Sequence, residues 1–178
     1  MLALASMGWA IAQDVPAPPP MRGEASLEDT MKFIQDKLPS KVNYKIYRHD
    51  NVTGTDLSSE YTFEVRNVSA DAGRCRIDVH WRLMINGDIK RDKNAWVSLK
   101  QVQQIVVMSN DRAYQQAAAK SGHPEWSFKL DPPIFKVIAR QEGGENNFLF
   151  YDETLADRVS EALRHAVDLC GGGSQEPF

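Results

Sequence analysis

The feature that most constrains the fold is an amphipathic segment near the C-terminus, residues 152–170. Its apolar residues recur at spacings of three and four, as on one side of a helix; they are Leu155, Val159, Ala162, Leu163, Ala166, Val167 and Cys170. Asp152 is placed to cap the first turn, and Gly171 can end the last turn in a left-handed conformation. A helix with one apolar side must cover another apolar surface, so the segment requires a sheet.

The chain ahead of this helix changes to a period of two, which predicts strands. The clearest strand is 74–85, with Cys75, Ile77, Val79, Trp81, Leu83 and Ile85 on one face. Asn86-Gly87 tolerates the positive φ of a tight turn, so residues 88–98 should return antiparallel to that strand. Trp81 and Trp96 are both expected in the core. The remaining strands are predicted at residues 42–49, 60–68, 105–108, 134–140 and 147–151.

Two further helices are predicted. The first covers 26–38, which begins with a capping box at Ser26 and carries an apolar stripe. The second is the alanine-rich segment 111–120, which Gly122 and Pro124 bring to an end. Sequential strands joined by tight turns favour a meander. We therefore expect an α+β fold: a single curled antiparallel sheet of about seven strands with an N-terminal helix, a short inserted helix and a C-terminal capping helix.

Length and composition predict one globular domain, residues 26–171, followed by a flexible tail at 172–178. Residues 1–12 are apolar and end in small residues, as before a signal-peptidase site, and a proline-rich linker follows at 13–25. We expect a signal-peptide remnant and a periplasmic or secreted protein without a transmembrane segment. Because no lysine or arginine precedes the apolar run, the alternatives are a start further upstream or an apolar N-terminus without a targeting role.

The two cysteines, Cys75 and Cys170, lie on the apolar faces of a predicted strand and the last helix. Both should therefore point toward the same core. In an exported protein they could form a disulfide that closes a loop of about one hundred residues, which would stabilise the fold by roughly 4 to 5 kcal/mol. The alternative is two separate buried thiols. No Cys-x-x-Cys spacing suggests a metal site.

The polar face of the strand 74–85 carries the one candidate constellation for catalysis. Asp78 and His80 could contribute to a metal or proton-transfer site. Arg76 and Arg82 share that face and favour a solvated, charged surface instead. The motifs typical of zinc proteases, serine hydrolases, phosphate loops and dinucleotide sites are absent from the sequence, so no cofactor is expected.

Two resemblances add to this interpretation. A curled seven-stranded antiparallel sheet with a C-terminal helix over one open end resembles the pleckstrin-homology-like (PH-like) fold, here over residues 42–171. The ending ADRVSEALRHAVDLCGG, residues 156–172, resembles the end of small exported bacterial domains that have no assigned activity. The second resemblance implies a family without a chemistry, and no functional residue can be transferred from it.

The PH-like resemblance gives a possible meaning to a basic hairpin formed by Lys90, Arg91 and Lys93. In such domains a basic hairpin can bind phosphorylated lipid headgroups. The competing interpretation is a strand edge kept soluble by its charges. The net charge of −3 and the pI of about 5.8 give no general reason to bind nucleic acid, and no nucleic-acid partner is expected.

These observations favour a noncatalytic exported domain that binds a protein partner or a small ligand. The binding surface would be the polar sheet face or the segment 111–126. The first alternative is a hydrolase or metal-dependent enzyme that uses Asp78 and His80 together with residues brought close by folding. The second is a PH-like domain that binds anionic lipid headgroups. A deep pocket holding Asp78 and His80 would favour the enzyme, and a flat, salt-bridged face would count against it.

Overall fold

The computed structural model describes residues 25–173, which form three α-helices and eight strands in two antiparallel sheets. The predicted signal-peptide remnant, residues 13–24 of the predicted linker and residues 174–178 of the predicted tail lie outside the described residues. The helices are α1 Leu27–Lys37, α2 Asn110–Lys120 and α3 Glu153–Leu169. The strands are β1 Ser40–Asp50, β2 Asp56–Asp71, β3 Arg76–Ile85, β4 Asp88–Ser98, β5 Val102–Ser109, β6 Trp126–Asp131, β7 Phe135–Gln141 and β8 Gly144–Phe150.

The larger sheet has the strand order β4-β3-β2-β1-β6. Its first four strands form the predicted meander. Asn86 and Gly87 join β3 to β4 with φ angles of 51° and 84°, as the predicted tight turn requires. The smaller sheet has the order β5-β7-β8, and its last two strands are the second predicted hairpin. The α+β class, the antiparallel pairing and the three helices are thus confirmed.

The prediction of a single curled sheet of seven strands was wrong, because the strands divide into sheets of five and three and do not close into a barrel. The chain leaves the larger sheet through a short 3₁₀ turn at Leu99–Gln101. Leu99 is fully buried there, and its N–H donates to the Cys75 carbonyl, so the turn is fixed from both sides. After α2 the chain returns to the larger sheet as β6, a strand missing from the prediction.

The core lies between the sheets and the two terminal helices. Ile34 of α1 and Val159, Leu163 and Ala166 of α3 are completely buried. The predicted N-cap of α3 is present, since the Asp152 carboxylate accepts a hydrogen bond from the Leu155 N–H at 2.9 Å. None of the described helices has the length and apolar character needed to cross a membrane. The helix predicted as the organising element therefore buries its apolar side as expected.

The predicted position of Trp96 was also wrong. It was expected in the core, but it is 52% exposed. The β3–β4 register places Trp96 opposite Asp78, so its side chain lies on the polar face of the sheet. The Arg76 guanidinium lies 5.2 Å from the centre of the indole ring. Trp81 has the core-side parity but is only half-buried, because it borders an opening between the sheets.

The last residues of the described chain connect α3 to both sheets. Cys170 forms the predicted disulfide with Cys75, which lies just before β3, across a sequence separation of 95. Gly171 has a φ of 72° and ends the helix as predicted. The Gly173 N–H donates to the Val102 carbonyl at the start of β5. A Cβ atom on Gly172 would overlap the Leu99 carbonyl, so this position requires glycine.

We predict that Cys170→Ser lowers the free energy of unfolding by about 4 to 5 kcal/mol under oxidising conditions, since the disulfide closes a long loop in the unfolded chain. With a reductant present, the variant and the wild type should unfold at nearly the same urea concentration. The measurement is urea denaturation of both proteins with and without dithiothreitol. An equal loss in both conditions would mean that Cys170 acts only as a packed sulfur atom.

We predict that Gly172→Ala lowers the free energy of unfolding by about 1 to 3 kcal/mol, because the added methyl group must displace the backbone at Leu99. The matched control is Gly73→Ala, where the new atom would meet only the Asp71 carboxylate at 3.5 Å, an ordinary contact. Thermal denaturation of both variants compares them. An equal effect of the two substitutions would contradict the predicted close fit at Gly172.

Candidate functional site

The free edge of β4 meets the smaller sheet at one end. The Trp96 carbonyl accepts hydrogen bonds from Asn146 Nδ2 at 3.2 Å and Gln141 Nε2 at 3.5 Å. The Ser98 N–H donates to Gln141 Oε1 at 3.1 Å. These two side chains therefore occupy the place that the backbone of a neighbouring strand would take.

The rest of this edge has no such cover. In an antiparallel ladder, alternate residues direct both backbone groups toward the same neighbour. The backbone groups of Trp96 and Ser98 point to the free edge, where they bond to the smaller sheet. The β3–β4 register is unbroken from Arg91 to Ser98. The N–H and C=O groups of Asp92 and Asn94, at the same alternate positions, therefore also point to the free edge. No described strand pairs with β4 on this side. The edge is thus closed at Trp96–Ser98 and open at Asp92–Asn94.

A cleft of about 260 Å³ lies beside the open edge, between β4 and β8. Phe63 and Trp81 form part of its apolar wall, with ring centres 5.8 Å apart. Arg91 and Lys93 lie at its rim. The other lining residues are Val65, Val79, Asn94, Ala95, Glu145, Asn146, Asn147 and Phe148.

A second cavity of about 230 Å³ shares Phe63 and Asn147 with the first. It extends toward α2, and we call the two together the inter-sheet cleft. Its further lining residues are Tyr44, Leu83, Asn110, Ala113, Tyr114, Ala117, Lys136 and Leu149. Segment 111–126, predicted as a binding segment, thus contributes three residues of α2 to the cleft.

Asn147 carries an unsatisfied polar atom in this cleft. Its Oδ1 is buried and has no hydrogen-bond partner within residues 25–173. A buried acceptor without a donor costs about 1 to 3 kcal/mol, and most such atoms in folded proteins are satisfied. Asn147 is therefore a polar residue of the cleft whose acceptor atom no described residue satisfies.

Burial shifts the pKa values of three ionisable side chains that line the cleft with Asn147, in each case in the direction that favours the neutral form. Burial lowers the pKa of the Lys136 amine; the Glu145 carboxylate partly opposes this shift, and Arg140 adds to it. Burial also raises the pKa of the Tyr44 and Tyr114 hydroxyls, which keeps both as neutral donors at physiological pH. The floor of the cleft thus combines aromatic surface with the Lys136 amine and the neutral hydroxyls of Tyr44 and Tyr114.

The predicted polar face consists of separate ion pairs. Arg76 Nε donates to Asp78 Oδ1 at 2.9 Å. His80 and Arg82 both bind Asp92 instead, with His80 Nε2 at 2.6 Å from Oδ1 and Arg82 Nε at 2.9 Å from Oδ2. Hydrogen bonds from Arg82 first, and from His80 less strongly, hold the pKa of Asp92 below its usual value. Asp78 and His80 therefore form hydrogen bonds with different side chains and not with each other.

Residues 25–173 contain no group of three or more His, Cys, Asp and Glu side chains that could hold a metal ion. The structure thus does not bring Asp78 and His80 together with a further ligand. Asp78 and His80 do line a common depression of about 390 Å³ on the polar face, together with Arg76 and Trp96. Both side chains are already paired there, Asp78 with Arg76 and His80 with Asp92. The inter-sheet cleft is therefore a better candidate site than the polar face.

The basic hairpin divides into two parts. Lys90 lies at a β-bulge, and its Nζ is 3.2 Å from Asp88 Oδ2. Arg91 and Lys93 lie at the rim of the cleft, and in the described part of the chain neither has a carboxylate within 4.0 Å. Two of the three predicted basic residues therefore present their charge to the cleft.

The sequence interpretation missed Gln141, Asn146, Asn147 and Lys136. Residues 134–140 and 147–151 were predicted as strands, but no role was given to their polar side chains. A signal was available, because asparagine is depleted in strands and Asn146-Asn147 lies inside one. Adjacent asparagines in a strand that precedes a buried helix indicate a polar function for that strand.

No protein-family model matches this chain, and the comparison with curated proteins finds no significant match.

We predict that Asn147→Leu raises the free energy of unfolding by about 1 kcal/mol, because it removes an unsatisfied buried acceptor and adds apolar surface. The matched control is Asn146→Leu, which removes the hydrogen bond to Trp96 and should lower stability by about 1 kcal/mol. Urea denaturation of both variants tests the pair. A loss of stability in Asn147→Leu would mean that this amide serves the fold rather than a ligand.

Proposed function

We propose that the protein is an exported, noncatalytic domain that binds a protein partner by pairing an extended segment of that partner with the free edge of β4. One observation carries the proposal. Side chains of the smaller sheet complete the hydrogen bonding of this edge at Trp96 and Ser98, while Asp92 and Asn94 remain open beside a cleft.

Strand addition suits this geometry for two reasons. Main-chain hydrogen bonds to an open edge supply affinity for any extended segment, and pockets beside the edge select its side chains. Alternate side chains of an added strand point to the same face. One set would therefore enter the inter-sheet cleft, over Phe63 and Trp81.

The open β4 edge favours a polypeptide over a free small molecule. Its unpaired backbone groups at Asp92 and Asn94 can form main-chain hydrogen bonds with an extended segment. A small molecule in the adjacent cleft would leave these groups unused.

The disulfide supports the exported part of the proposal. Disulfides form and persist in oxidising compartments and are rare in the cytosol. The bridge between Cys75 and Cys170 joins two sites that are both buried, so it serves the fold rather than exchange with other thiols. A noncatalytic role is supported by the separate pairing of Asp78 and His80.

We predict that Asn94→Pro abolishes partner binding, because proline removes the open N–H group and its ring blocks an approaching strand. The substitution leaves the β3–β4 ladder intact, since the Asn94 backbone groups point away from β3. The probe is a phage-displayed library of random heptapeptides selected on the wild-type protein. Selected peptides, resynthesised with a fluorescent label, are then titrated with each variant.

The matched control is Asn94→Ala, which retains the N–H group and should bind the selected peptides as the wild type does. Binding of the same peptides by Asn94→Pro, or failure of the library to yield any specific peptide, would overturn the pairing of a partner segment with this edge. Circular dichroism and thermal denaturation establish that both variants are folded. Concentration-dependent dimerisation lost in Asn94→Pro, without peptide binding, would identify a second copy of the chain as the occupant.

A further inference from the structure

We infer that the segment bound at β4 is acidic, with two carboxylate side chains at alternating positions and an apolar side chain at the next alternating position. This inference rests on the proposed strand addition and specifies the chemistry of the partner. The residues that carry it are Arg91, Lys93 and Ala95, which follow one another at a spacing of two along β4 and flank the open backbone positions Asp92 and Asn94.

The three residues share the cleft side of β4. In the β3–β4 register, Arg91 lies opposite Leu83, and Lys93 lies opposite Trp81. Ala95 lies opposite Val79, a buried residue of the cleft wall. Directly opposite residues in an antiparallel pair project to the same face of the sheet. The cleft side of the edge therefore presents two cations followed by a small apolar residue.

The charges of Arg91 and Lys93 are available to a partner. Asp92, between them in sequence, projects to the other face and is engaged by Arg82 at 2.9 Å. Glu145 also lines the cleft, but it accepts a hydrogen bond from Arg140 at 2.9 Å. The nearby carboxylates are thus occupied by other cations, and a carboxylate supplied by a partner would be the complement at this rim.

Ala95 determines which kind of side chain is expected at the third alternating position of the bound segment. Ala95 lines the cleft beside the buried Val79 and is itself only partly buried. An apolar side chain from an added strand would cover Ala95 and remove its remaining apolar surface from water. Because strand side chains alternate, the partner pattern is acidic-x-acidic-x-apolar, read along β4 from Arg91 to Ala95.

The same charges disfavour a second copy of the chain as the occupant. Pairing two β4 edges would bring the basic side chains of Lys90, Arg91 and Lys93 close to those of the other copy. Like charges on adjoining strands are destabilising, and lysine on an edge strand is a known safeguard against self-association. An acidic segment would instead be attracted to the basic side chains of β4.

The test uses fluorescein-labelled synthetic peptides in anisotropy titrations at low ionic strength. The matching probes are Thr-Glu-Thr-Glu-Thr-Val-Thr and its reversed sequence, because an added strand can run in either direction. One control has lysine in place of both glutamates. The other is Thr-Glu-Glu-Thr-Val-Thr-Thr, which has the same composition but breaks the alternation.

We expect at least one matching probe to bind the wild-type protein, and both controls to bind more weakly. Combined replacement by Arg91→Ala and Lys93→Ala should weaken binding by about two- to fivefold per charge removed. Lys90→Ala is the matched control, since Lys90 pairs with Asp88 and does not line the cleft; its affinity should change less than about twofold. Rising salt should weaken binding to the wild type more than to the double variant.

The outcomes separate this inference from the proposed function. If Asn94→Pro abolishes peptide binding but the alanine double variant does not weaken it, strand addition stands and the acidic pattern is wrong. If Asn94→Pro binds the probes as tightly as Asn94→Ala, strand addition is wrong. Phosphatidylglycerol vesicles provide the third arm. Vesicle binding that needs Arg91 and Lys93, without binding of any peptide, would identify a lipid surface as the partner and overturn the inference.

Discussion

The fold depends on the covalent and hydrogen-bonded connection at the end of α3. The disulfide joins Cys170 to Cys75, just before β3 of the larger sheet. The hydrogen bond from Gly173 to Val102 reaches β5 of the smaller sheet. One helix end is therefore attached to both sheets, and the β4 edge is held against Gln141 and Asn146 at the same end of the molecule. Farther along β4, at Arg91 and Lys93, the inter-sheet cleft lies between β4 and β8.

The cleft combines features that a purely structural core would avoid. A packed interior usually contains apolar side chains and satisfied polar groups. Here the Asn147 acceptor has no partner within the described chain, and burial shifts the Lys136 pKa toward the neutral amine. Residues that lower stability in this way are characteristic of sites selected for binding. The outer face of the larger sheet differs in this respect. There Asp78 and Asp92 each accept a hydrogen bond from an adjacent arginine of the same chain.

Local signals in the sequence predicted the features with local causes. Asn86-Gly87 specified its turn. The apolar positions of Cys75 and Cys170 favoured the disulfide over two separate thiols, and the bridge is present. The predicted strand began too early, however, because Cys75 lies in the turn before β3 with a φ of 52°. The division into two sheets could not be predicted in this way, because it depends on how the buried turn at Leu99 is held by residues distant in the chain. The strand Trp126–Asp131 has alternating apolar residues, but its partner β1 lies far away in sequence. Trp96 was misplaced because hydrophobicity does not reveal which face of an edge strand is covered.

The candidate site was only partly predictable for the same physical reason. Arg91 and Lys93 were recognised as a basic patch, and sequence alone favoured a solubility role or a lipid headgroup. Their relation to Asn147 arises from contacts between β4 and β8, about fifty residues apart, which no periodicity encodes. Solubility and recognition are also compatible roles for one edge. Charges that repel another copy of the same strand leave its backbone groups unpaired, and a segment of opposite charge can then pair with them. Selectivity at β4 would therefore arise from the repulsion that keeps the edge open as much as from the contacts that close it.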